Sequence, residues 1–199
     1  MFSNPLTIIC NPDAEWQRFS DRTENEFKAI LPYLLLMAII PSASWFYGTT
    51  EIGWRIGDGD NVKLTSDSAL RIAAALYVAI LVSISAIGYA VHWMAETYNA
   101  QSSIARGIGL ATLTATPLFV LGFSGLYPHF WLDLVLFIVG ISWTTFLLYR
   151  GIPIAMKIPE DQGFMYASAL ASVGCIILIS LLVATTILWS NGFQPVFID

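Results

Sequence analysis

The stretch Ser103–Pro128, SIARGIGLATLTATPLFVLGFSGLYP, decides the reading of this chain. After a single arginine it runs for about twenty apolar or small residues, enough to cross a bilayer core of roughly 30 Å. Its interior carries Gly107, Gly109, Thr112, Thr114, Thr116 and Pro117, which a lipid-facing helix does not need. That mixture suits a helix inside a bundle, where small residues let backbones approach and hydroxyls bond across helices. Pro117 removes a backbone donor and crowds the preceding turn, so a kinked central helix is expected.

Four further apolar stretches flank it, at 29–47, 69–93, 131–149 and 165–189, with the central span itself at 104–126. Pro32 stands at the entry of the first and Pro41 near its exit. The expected fold is an all-α integral membrane protein: one domain, 1–199, with five transmembrane helices in one bundle. The totals agree. Charged residues make up 12% of the 199 and mean hydropathy is +0.68, whereas soluble domains carry about 25% charged residues. Trp93, Trp131, Tyr149, Tyr166 and Trp189 fall at span ends, as an interfacial aromatic belt requires. Net charge is −5 with no polybasic block, which argues against nucleic acid and anionic lipid surfaces as partners. An N-terminus on the cytoplasmic side places Arg18, Arg22, Lys28, Arg106, Arg150 and Lys157 there, against Arg55, Lys63 and Arg71 opposite. Six against three favours that orientation, with the C-terminus periplasmic.

Residues 1–28 are polar and mixed in charge, and the apolar run that follows is long enough to remain as a span rather than a cleaved signal. Ile8 and Ile9 before Cys10 do not suit a lipoprotein cleavage site. Asn11-Pro12-Asp13-Ala14-Glu15 reads as a helix start, and Trp16, Phe19, Thr23, Phe27 and Ile30 then form a stripe at spacings of three and four. The plainer reading is a helix lying against the bilayer surface or the bundle; the sharper is a partner-binding helix. Between spans one and two, Ile52, Trp54 and Ile56 alternate with polar or small residues, as do Val62 and Leu64 beyond Gly57-Asp58-Gly59-Asp60-Asn61. A short β-hairpin is expected there. A calcium loop is the weaker alternative, for want of the terminal glutamate.

Ionisable residues near lipid are costly and usually face the bundle interior. Arg71 near the outer end of span two and Asp133 near the outer start of span four share a depth and differ in sign. A helix-clamping pair is expected, with separate snorkelling as the alternative. His92 and His129 lie on opposite sides, and Cys10 and Cys175 lack ligand spacing, so no metal or cofactor is expected. The intramembrane serines Ser83, Ser85, Ser142, Ser168 and Ser172 have no base beside them, and no catalytic motif stands out. The small-residue face Ala167, Ser168, Ala171 and Ser172 is expected to close the bundle on span three or to make a dimer.

Ile40-Pro41-Ser42-Ala43-Ser44-Trp45-Phe46-Tyr47-Gly48-Thr49-Thr50-Glu51-Ile52-Gly53-Trp54 forms one landmark string. Ala115-Thr116-Pro117-Leu118-Phe119 with Gly125-Leu126-Tyr127-Pro128, and Tyr149-Arg150-Gly151-Ile152-Pro153, follow it in order. Together they resemble the bacterial, YohC-like branch of the Yip-one family, the Ypt/Rab-interacting membrane proteins. The resemblance implies five spans, a cytoplasmic N-terminus and residence in the bacterial inner membrane. The candidate structural or functional positions are Arg71, Asp133, Thr116, Pro117, Tyr149, Gly151 and Pro153, and no catalytic residue is implied by the resemblance. Eukaryotic relatives are associated with Rab GTPases through an Asp-Leu-Tyr-Gly-Pro type motif, which this chain lacks. The expected role is a non-enzymatic membrane protein working through contacts with membrane lipids or other membrane proteins, or as a homo-oligomer. The alternative is an oligomeric transporter, channel or lipid scramblase using the kinked third helix.

Overall fold

The computed structural model describes residues 5–28, 30–54 and 61–198. Its elements begin with three short helices, α1 (Pro5–Cys10), α2 (Pro12–Ser20) and α3 (Glu24–Lys28). Asn11 caps α2, its side chain accepting from the Ala14 amide at 3.4 Å, with Pro12 in the first turn. Glu26 reaches back to the amide and hydroxyl of Thr23 at 2.7 and 2.9 Å, which fixes the start of α3.

The first span is α4 (Ile30–Tyr47), extended by a π-helical turn over Gly48–Ile52. Thr49 and Thr50 donate back to the carbonyls of Trp45 and Phe46 at 2.7 and 2.9 Å, which keeps the chain helical past Tyr47. The second span is α5 (Ser66–Met94). The third is broken: α6 (Ile104–Thr114) and α7 (Thr116–Leu121), with a 3₁₀ turn over Gly122–Leu126, meet at a bend of 46°. Pro117, in the first turn of α7, supplies the break. Spans four and five are α8 (Phe130–Met156) and α9 (Glu160–Leu188).

Among the described residues, four segments are long and apolar enough to cross a membrane, and the bent pair makes a fifth. That pair traverses the bundle rather than doubling back. Gly109 of α6 faces Phe19 and Ile30 at the end that carries α2, whereas Gly125 faces Trp45 at the far end of α4. There a Cβ on Gly48 would overlap the Gly125 carbonyl, so two glycines let α4 and the third span touch backbone to backbone.

The expected hairpin between spans one and two is present in reduced form. Trp54 and Val62 exchange backbone bonds of 3.0 and 2.9 Å, while the Gly/Asp turn, and with it the calcium alternative, lies outside the described residues. The next strand, β1 (Lys63–Leu64), pairs antiparallel with β2 (Phe197–Ile198) at the C-terminus. The helical turn through Ile52 leaves the first arm too short to hold it. Trp54 stacks edge-on with Phe197 at 5.9 Å, joining the two ladders.

The core lies toward the α2 end. Ile8, Trp16, Phe19, Leu110, Leu147, Ile152 and Tyr166 are each 0% exposed and belong to one cluster with Leu113, Val91 and Leu170. A second cluster, Leu34, Ile84, Ala111, Ala115 and Phe119, surrounds the break in span three. From Cys175 to Phe193 no residue is buried. In this half of α9 apolar side chains point outward on every side, as a helix in lipid tolerates.

Candidate functional site

The threonines of the third span turn inward. Thr112 donates to the Ile108 carbonyl at 2.7 Å and Thr116 to the Thr112 carbonyl at 3.3 Å. With its own proton so used, Thr116 Oγ1 accepts from Tyr33 of α4 at 3.1 Å. Thr112 and Thr116 are fully buried, Thr114 nearly so with an unpartnered hydroxyl, and Pro117 is buried beside them. The Tyr33–Thr116 bond therefore ties α4 to the span at its break. Thr116→Val is expected to cost about 1–3 kcal/mol, because the Tyr33 hydroxyl loses its acceptor. Adding Tyr33→Phe should recover much of that loss in thermal unfolding of the purified protein.

Arg71 and Asp133 are not brought together. α5 packs on α4, α6 and α9, whereas α8 packs on α2, α6, α7 and α9, and no ion pair among the described residues joins Arg71 to Asp133, so equal depth does not make the two residues neighbours. Arg71 lines a cavity of ≈ 280 Å³ at the far end, with Thr65, Asp67, Ser68, Phe193, Gln194 and Val196. Asp133 caps its own helix, accepting from the His129 amide at 3.1 Å. The small-residue face of α9 closes the bundle on α5 and α8 instead of span three: Ala167 is buried, and Ser168 accepts from Tyr149 at 2.9 Å while donating to the Phe164 carbonyl.

The string Tyr149–Pro153 instead forms a junction. Tyr149 holds α9 through Ser168 and meets the Phe164 ring in a tilted contact at 5.1 Å. Arg150 forks Asp13 of α2 with bonds of 2.7 and 2.8 Å. A Cβ on Gly151 would overlap the Trp16 indole, so only glycine lets that ring lie against α8. Pro153 fills the space beside Gly163, whose added Cβ would fall 2.7 Å from it.

The docking of α2 continues inward along α8. Asp13 meets Arg150, Trp16 meets Gly151, and Asp21 meets Lys157 at 2.9 Å, so α2 runs parallel to the last two turns of α8. Arg106 of α6 bridges both, donating to the Ser20 carbonyl at 2.9 Å and the Ala155 carbonyl at 3.2 Å, with its guanidinium over Phe27. Ser103 donates to Glu24 at 2.8 Å. Glu15 is buried and meets Arg22 at 2.9 Å and Arg18 at 3.6 Å. α1 reaches further still and packs against α7, beyond the break of span three. Of the expected stripe, Trp16, Phe19, Phe27 and Ile30 are core, while Thr23 is exposed. The stripe's partner surface was not evident from sequence; the available signal was a pair of glycines, Gly109 and Gly151, opposite two aromatic rings.

The Arg150 hydrogen bond holds the Asp13 carboxyl below its ordinary 3.8, and Lys157 does the same for Asp21. A depressed carboxylate adds stability that is present above the unfolded value and lost as pH falls through the folded one. The tether should therefore loosen only below about pH 4, seen as faster exchange of the α2 amides. Both pairs are solvent-exposed, so Asp13→Asn should cost no more than about 1 kcal/mol.

His92 bonds the Ser102 carbonyl at 2.7 Å, and no three His, Cys, Asp or Glu side chains are grouped for a metal among the described residues. The arrangement joins helices: ion pairs and glycine-cradled rings at one end, a hydroxyl relay at the break.

Fold and site together define a multi-pass α-helical membrane protein whose polar groups serve packing. The Yip1 domain matches residues 6–182. Over 187 residues the chain is 35% identical to the inner membrane protein YohC of Escherichia coli K12, covering 94% of this chain and 96% of that protein. The same figures hold for YohC of Escherichia coli O6:H1 strain CFT073. The chain belongs to the Yip1 family. No solved structure matches it.

Proposed function

We propose that this is a non-enzymatic protein of the bacterial inner membrane, N-terminus cytoplasmic, that works through contacts with membrane lipids or other membrane proteins. The observation that carries this reading is the division of the molecule. The hydroxyls of Thr112 and Thr116 at the third span are engaged within the protein, while α8 and the outer half of α9 present a broad apolar surface. Trp131, Val135 and Ile138 on α8, and Ile176, Ile179 and Leu182 on α9, are each more than half exposed. Arg18, Arg22, Arg106, Arg150 and Lys157 all gather at the α2 end, which supports a cytoplasmic N-terminus. The similarity to YohC, an inner membrane protein by name, supports the location.

Photocrosslinkers placed at Ile179 and Leu182 in native membranes test the reading. Reproducible adducts to one protein or lipid class are expected; adducts indistinguishable from bulk membrane content would count against it. The conduction alternative requires liposome flux that responds to Pro117→Ala and Thr116→Val.

A further inference from the structure

Residues 5–20 fill a groove that the spans themselves have built. Its walls come from α7 and α8, with Arg106 and Gly109 of α6 closing the Ser20 and Phe19 end. Gly109 and Gly151 open it to Phe19 and Trp16. Its mouth carries Arg106 and Arg150, engaged by Ser20 and Asp13 of the inserted segment, and Lys157, engaged by Asp21 just beyond it. Two buried donors remain without an acceptor while the segment is in place, Trp16 Nε1 and Arg106 Nε. The seal at the mouth consists of exposed ion pairs, Arg150 being 54% and Lys157 63% exposed at the side chain, and such pairs are weak. The inserted segment is thus closely shaped to the groove in its apolar part and loosely held at its polar end.

The segment also shows what the groove can hold. Ile8, Trp16 and Phe19 are a continuous apolar body, and Asp13 offers two carboxylate oxygens to the Arg150 fork. A phosphodiester presents two oxygens to a guanidinium in the same bidentate way. We propose that residues 5–20 are a displaceable plug, and that the groove beneath them is a binding site for an anionic phospholipid, with acyl chain in place of the aromatic face and phosphate in place of Asp13. The net charge of −5 describes the whole chain; the mouth is a local concentration of three cations, partly offset by Glu24 near Arg106 and Glu160 near Arg150. This inference rests on the contact reading above and names a lipid class and a site for it.

The test uses the full-length protein in nanodiscs of phosphatidylcholine, with and without phosphatidylglycerol, followed by amide hydrogen exchange. With phosphatidylglycerol the amides of residues 12–20 should exchange about tenfold faster. Arg150→Gln with Lys157→Gln should abolish that lipid dependence. Equal exchange in the two lipids overturns the proposal, as does a phosphatidylglycerol effect that survives the double substitution, which would mark a general surface-charge response. Native mass spectrometry of the unmodified protein gives a second reading that needs no variant: preferential retention of phosphatidylglycerol supports the site, and equal retention of both lipids overturns it. Failure here leaves the crosslinks from α9 as a separate test of the broader function.

Discussion

Trp16→Ala lowers the stability of the full-length protein by about 3–5 kcal/mol, the cost of removing a fully buried indole from a packed core. Trp16 is 0% exposed, lies against the Gly151 backbone, and meets Phe19 edge-on at 5.8 Å. A soluble N-terminal helix lying on a membrane would lose far less. The matched control is Trp131→Ala on the outer surface, where the side chain is 67% exposed and the expected change is within about 0.5 kcal/mol. Denaturant unfolding of both variants in one detergent, with α2 amide exchange as the local readout, separates them. Equal effects at the two tryptophans would mean that α2 is not part of the core.

Gly125→Val is the second large effect, expected to cost about 3 kcal/mol, the upper end for overpacking, because the added side chain meets the Trp45 backbone as well as its ring. A Cβ there falls 2.9 Å from the Trp45 amide nitrogen and 2.7 Å from its ring. The opposing Gly48 is already in contact with the Gly125 carbonyl and Pro128. The substitution must therefore pry α4 from the third span, and the Tyr33–Thr116 bond nearer the break should weaken with it. Gly174 provides the contrast. An added Cβ meets nothing there, so Gly174→Ala should be neutral or stabilising by up to about 1 kcal/mol, the helix propensity difference. A Gly125→Val protein with wild-type unfolding would rule out this close approach.

Much of the architecture could be read before any coordinates. Apolar runs of about 20 residues admit few alternatives to spans, and Pro117 locates the break because proline acts locally. Tertiary neighbours were harder. Arg71 and Asp133 share a depth, but depth in a bundle says nothing about azimuth, and α5 and α8 meet chiefly through α6 and α9, on which both pack. The stripe from Trp16 to Ile30 shows that α2 has an apolar face without naming what covers it. Asp13 and Arg150 stand 137 residues apart, and no local pattern links them. The landmark Tyr149-Arg150-Gly151-Ile152-Pro153 stood out as a string; its work, holding α2 and α9 together, is visible only once the glycine is seen beneath the indole. Thr116 was legible as a bundle residue, while its partner Tyr33, on another helix, was not.

The central claim is that the N-terminal helices are an integral part of the bundle. A density map of the full-length protein in nanodiscs of phosphatidylcholine alone tests it most directly. The account predicts α2 parallel to the last two turns of α8, the Trp16 indole against Gly151, and the Asp13 carboxylate in the Arg150 fork. An α2 lying in the plane of the membrane surface, with Gly151 open to lipid or water, would contradict it.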